Sequence, residues 1–159
     1  MYDLSTSLTK QITNSPRAQH SSIYGDKIVL SDYRYGNYDI YMYGLITDKE
    51  TRITADPSNQ YSPAIYGNKI IWIGNRVYMY DLATDEERQI TTGSYSEYWA
   101  TIYGNKIVWV DNRSGYEEIY MYDMSFPTNL TLDVGNDGDV DWSFEGEFRT
   151  SARTGNFTD

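Results

Sequence analysis

The sequence predicts an all-β fold of four-stranded sheets stacked face to face. Three internal repeats carry that prediction. Ile102-Tyr103-Gly104-Asn105-Lys106-Ile107-Val108-Trp109 recurs as Ile23-Tyr24-Gly25-Asp26-Lys27-Ile28-Val29-Leu30 and as Ile65-Tyr66-Gly67-Asn68-Lys69-Ile70-Ile71-Trp72. Met1-Tyr2-Asp3-Leu4 recurs at Met42, Met79 and Met121, at offsets of 41, 37 and 42 residues. Eleven residues after each of the first three methionines comes Ile-Thr, at Ile12-Thr13, Ile53-Thr54 and Ile90-Thr91. A fixed period with fixed internal spacing marks a repeat architecture.

Each period reads as four strands. Strand a holds the Ile-Tyr pair. Gly-Asn or Gly-Asp follows, and glycine suits the positive φ of the first position in a two-residue hairpin. Strand b runs over Lys69–Ile73 or Lys106–Val110, rich in β-branched and aromatic residues. Strand c covers 40–43, 77–81 or 119–123, and strand d ends in Gln-Ile-Thr or Arg-Ile-Thr. Alternation sends Ile107 and Trp109 to one face and Val108 and Val110 to the other. Both sets are apolar, so both faces are expected to be covered. Units of this length and strand count are the blades of a β-propeller. Helical repeats are disfavoured, because no apolar spacing of 3.6 is sustained.

The hairpin between strands b and c varies. It is Asp32 to Asp39 in the first unit and Asp111 to Glu118 in the third, but shrinks by five residues to Gly74-Asn75-Arg76 in the middle one. The run Asp111-x-Arg113-x-Gly115-x-x-Glu118-Ile119-Tyr120-Met121-Tyr122-Asp123 resembles the WD-like repeat of TolB-type β-propellers. It is most similar to tandem versions on archaeal and bacterial cell-surface proteins. The likeness covers residues 1–125 and departs where the middle unit lacks the hairpin and where proline of strand a occurs only at Pro63. It implies a scaffold for protein or polymer contacts and does not imply catalysis.

The blades fall at about 14–54, 55–91 and 92–124, and residues 1–13 supply a c and a d strand. Three blades are too few for a ring, which typically takes about 4–8. The chain therefore reads as a piece of a longer propeller, as half of a dimeric ring, or as an open arc. Met1 falls inside a repeat, which suggests a start internal to a longer protein. The last blade lacks a d strand, and Leu8 to Thr13 is a spare one, so self-association through unpaired blade edges is expected. Residues 126–159 form an acidic tail that opens a second β module. Strands are expected at Asn129–Val134 and Asp139–Phe144, in a stretch that resembles the start of jelly-roll-like modules in similar surface proteins.

Composition excludes several functions. The net charge of -10 disfavours nucleic acid and anionic membranes. No apolar run is long enough to insert in a bilayer. With no cysteine, thiol catalysis and disulfides are excluded. His20 is the single histidine, and the repeat aligns it with Ser62 and Trp99, so it does not read as catalytic. The chain is expected not to be an enzyme.

Three groups of residues remain as candidates. Tyr33, Tyr35, Tyr38 and Tyr116 cluster on the b–c hairpins and could stack on a glycan or anchor a protein. The hairpins themselves are expected to be held by Asp32, Arg34 and Gly36, and by Asp111, Arg113 and Gly115. Ten further tyrosines (2, 24, 41, 43, 66, 78, 80, 103, 120 and 122) are expected to pack between blades. In the tail, Asp133, Asp137, Asp139 and Asp141 have the odd-position spacing of calcium loops, against an ordinary acidic turn. No cofactor is otherwise implied. The function expected is a non-catalytic binding scaffold of a cell-surface or secreted protein; the alternative is an accessory propeller of a larger hydrolase or lyase.

Overall fold

The structure, a computed structural model, describes residues 2–3, 7–125, 129–132 and 142–145. It divides into two compact units, Met1–Asp123 and Met124–Asp159. The first holds β1 (Tyr2–Asp3) and β2 (Leu8–Thr9), then three antiparallel sheets. The first blade is β3 (Ala18–Tyr24), β4 (Lys27–Asp32), β5 (Asp39–Gly44) and β6 (Lys49–Arg52). The middle blade is β7 (Tyr61–Tyr66), β8 (Lys69–Ile73), β9 (Val77–Asp81) and β10 (Glu86–Gln89). The third is β11 (Glu97–Tyr103), β12 (Lys106–Asp111) and β13 (Glu118–Asp123). Each sheet pairs its strands in chain order. The second unit pairs β14 (Asn129–Leu132) with β15 (Trp142–Glu145), antiparallel. No helix occurs among the described residues.

Local chemistry fixes the repeats. Gly25, Gly67 and Gly104 turn β3, β7 and β11 into the next strand at φ +56, +60 and +57. At the other end of each sheet, Asp48 and Asp85 adopt φ +54 and +58, and each donates its backbone N–H four residues back, to Gly44 and Asp81. Aspartate tolerates this left-handed conformation better than most side chains.

Stacking buries the sheets. Val29 and Ile40 of the first blade pack with Ile65, Ile70 and Trp72 of the middle blade, flanked by Met42 and Ile53. Ile71, Val77 and Met79, on the opposite face of the middle sheet, are buried too. Each such side chain contributes about 1.5–3 kcal/mol on leaving water. The first blade's other face, with Ile28, Leu30, Tyr41 and Tyr43, is covered by Ile12 and Leu45.

Three expectations are corrected. Strand d ends before its Ile-Thr. Ile53 and Ile90 instead donate their N–H to the carbonyls of Ile40 and Val77, and the buried Thr54 and Thr91 hydroxyls accept the N–H of those same residues at 2.8 and 3.0 Å. The pair is a latch that closes the blade, not the end of a strand. Leu8–Thr9 is not spare either, because it pairs with Tyr2–Asp3. Finally, both faces of the third sheet are not covered: Ile107 is buried, but Ile119 is 77% exposed and Met121 46%.

Candidate functional site

The two long hairpins are pinned at their bases by buried carboxylates. Asp111 is fully buried. It accepts hydrogen bonds from the Arg113 backbone N–H (3.0 Å), from Arg113 Nη2 (2.6 Å) and from Trp109 Nε1 (2.9 Å). Burial alone would push its carboxyl up; the Arg113 and Trp109 bonds outweigh this and hold it below the usual carboxylate range. Asp32 repeats the arrangement with Arg34 Nη2 at 2.7 Å and Ser15 Oγ at 2.8 Å. Gly36 and Gly115 take φ +97 and +95, which lets the tip fold back on its base. These acids are saturated by donors, so neither is free to move a proton.

The arginines lie on aromatic rings. The Arg113 guanidinium carbon is 4.1 Å from the Tyr120 centroid and 5.9 Å from that of Trp109. Arg34 sits 4.2 Å over Tyr41 and also bonds Glu50 of β6.

The four hairpin tyrosines separate into two pairs. Tyr33 and Tyr38 pack edge to face at 5.0 Å, and Tyr38 continues to Tyr61 of the middle blade at 5.1 Å. Tyr35 and Tyr116 stand at the tips, 67% and 80% exposed. Arg52 lies 5.0 Å over the Tyr35 ring.

His20 is exposed and sits in a β-bulge at φ +48; Ser62 and Trp99 occupy the equivalent bulges at φ +50 and +49. The register of β3, β7 and β11 slips at each of them. A bulge re-aims one side chain. In β11 that side chain is Trp99, 73% exposed. No group of three or more metal-ligating side chains occurs among the described residues. Asp133, Asp137, Asp139 and Asp141 lie outside the described residues.

TolB from Acinetobacter baumannii superposes at a TM-score of 0.66 with 24% identity, over 78% of this chain and 34% of that one. A putative TolB from Agrobacterium tumefaciens gives 0.62 and 17%, over 71% of this chain and 48% of that one. The fold is a TolB-like β-propeller. This chain thus spans less than half the length of the TolB structures it matches. An oligogalacturonate lyase from Vibrio parahaemolyticus overlaps at 0.48 and 17%, over 70% of this chain and 34% of that one. No family model and no curated protein matches the sequence.

In this TolB-like propeller the sequence reading missed two surface features. Tyr24, Tyr66 and Tyr103 do pack across neighbouring blades, with centroids 4.7 and 4.9 Å apart, but their row lies at the surface. Tyr24 is 41% exposed and Tyr103 77%. Each precedes a turn glycine, at the end of a strand rather than inside a sheet, which leaves its ring at the surface. The other feature is the exposed Trp99. The slip that aims it is absent from the repeat pattern, because a bulge adds a residue without changing the period.

Proposed function

We propose that this chain is a non-catalytic binding segment of a cell-surface or secreted β-propeller protein. It contacts a protein or glycan through aromatic side chains held out by rigid blades. One observation supports this most: Tyr35 and Tyr116 are largely exposed on hairpins whose bases are locked by buried Asp–Arg pairs. Exposed tyrosines on a fixed backbone lose little conformational freedom on binding, which suits an anchor. Their acids are spent on structure, which leaves the hairpins display devices rather than acid–base machinery.

The test is a glycan array and a displayed-peptide selection run on the wild-type chain and on Tyr35→Ala/Tyr116→Ala. A ligand captured by the wild type and lost by the double variant supports the reading. Ligands retained unchanged by the variant refute it. The open face of the third blade, with Ile119 and Met121, supports self-association as well. Light scattering that shows a monomer at every concentration would exclude that part.

A further inference from the structure

The middle blade lacks the hairpin that carries the arginine, but it keeps part of the arginine's surroundings. Trp72 and Tyr78 stack at 6.0 Å and 10°, as Trp109 and Tyr120 do at 6.4 Å and 23° in the third blade. Over the latter pair lies Arg113. Glu87 sits opposite Tyr80 in β10, as Glu50 sits opposite Tyr43 in β6. Glu50 binds Arg34. Five residues are missing between Ile73 and Val77 relative to the other blades, and Gly74 stands where they have Asp32 and Asp111. The deletion removes the cation and its buried aspartate partner, and leaves the tyrosine it would cover and the outer-strand glutamate.

What remains is a cleft of about 260 Å³, lined by Trp72, Gly74, Tyr78, Gln60, Asp56 and Glu87 among others. Such a volume is below the range that holds drug-sized ligands, and suits a single side chain. Two carboxylates line it and no lysine or arginine does. Partial desolvation raises the Glu87 carboxyl above its ordinary range, the Asp56 charge adds to the rise, and no cation offsets it. Arg76 donates to the Asn75 carbonyl and acts on Tyr78 from outside the lining.

We propose that this vacated slot binds the guanidinium of an arginine side chain in a partner polypeptide. The first blade supplies the pose: the Arg34 guanidinium lies 4.2 Å over the Tyr41 ring and is bonded by Glu50 of the outer strand. Cation–π attraction and a charge-assisted bond would both act there. This site is separate from the hairpin tyrosines and stands or falls without them.

The probe is the peptide acetyl-Gly-Arg-Gly-amide, with lysine and citrulline versions as comparators, titrated into the ¹⁵N-labelled full chain. The Trp72 indole N–H, assigned with Trp72→Phe, is the reporter. Citrulline keeps the shape and removes the charge, so the arginine peptide is expected to bind about tenfold tighter than the citrulline peptide. Glu87→Gln should weaken the arginine peptide about fivefold or more and leave citrulline unchanged. Replacing Gly74-Asn75-Arg76 by the third blade's Asp111–Glu118 hairpin should abolish binding by filling the slot. Equal affinity for arginine and citrulline, or binding indifferent to Glu87→Gln and to the graft, overturns the proposal.

Discussion

Glu97→Gln is expected to stabilise this protein at neutral pH. Glu97 is only 7% exposed, and neither carboxylate oxygen has a hydrogen-bond partner of good geometry. It also lies directly across from Asp111 in the β11–β12 ladder. The equivalent residue of the middle blade is Gln60, equally buried but satisfied: Thr54 Oγ1 donates to its Oε1 at 3.0 Å, and its Nε2 donates to the Ser58 carbonyl at 2.5 Å. An amide at position 97 would meet Thr91 in the same way. A buried polar group left unpaired costs about 1–3 kcal/mol, more when charged. For the unit of 123 residues, a gain of about 2 kcal/mol is worth ~8 °C in Tm, read by differential scanning calorimetry.

The pH dependence gives the same test a sign. Desolvation raises the Glu97 carboxyl above its ordinary 4.5, and Asp111 adds to this; Thr91, the Val77 N–H and Arg76 counteract it only in part. The folded state therefore binds this proton more tightly than the unfolded state does. The cost of Glu97 is full above the raised folded pKa and vanishes as pH falls below 4.5. The advantage of Glu97→Gln should accordingly be present at pH 7 and should close on acidification. Asp111 stays ionised through most of that window, since its own carboxyl is held low. A variant that is neutral or less stable at pH 7 would show that Glu97 is satisfied, and a gap undiminished on acidification would show that its charge is not the cause; either refutes the reasoning.

Other outcomes follow from the same contacts. Thr91→Val should cost about 1–3 kcal/mol by orphaning the Val77 N–H, while Thr92→Val, at an exposed neighbour, should change stability by less than about 0.5 kcal/mol; urea denaturation distinguishes them. Asp111→Ala should cost about 3–5 kcal/mol, because it strands Arg113 and the Trp109 indole N–H; the near-UV circular dichroism of Trp109 should change with it. Gly104→Ala should destabilise by about 1 kcal/mol: φ is +57 there, and although the space around a new Cβ is open, the backbone conformation disfavours it. Its thermal midpoint should fall by about 4 °C.

Much of the fold was legible in the sequence because the repeats are local. Turn glycines and β-branched strands each depend on a few neighbouring residues, so the strands and their order could be read directly. The Ile-Thr pair was misread as strand because its role depends on a partner fourteen residues back: Thr91 satisfies the N–H of Val77. The tyrosines show the same limit. Repeat tyrosines look alike in sequence, but Tyr41 is buried and Tyr103 is exposed, according to whether the residue lies within a stacked sheet or at its end.

The amino-acid order by itself determined that this chain forms blades, since short apolar sheets must be covered and identical units can cover one another. Only the tertiary structure decided which side chains are spent inside and which are left facing water. It tied the hairpin acids to arginines, aimed Trp99 outward through a bulge, and kept a tyrosine and an acid where the middle blade has lost the long hairpin's arginine. Those outcomes depend on atoms brought within a few ångströms across sheets, and spacing along the chain does not encode such distances.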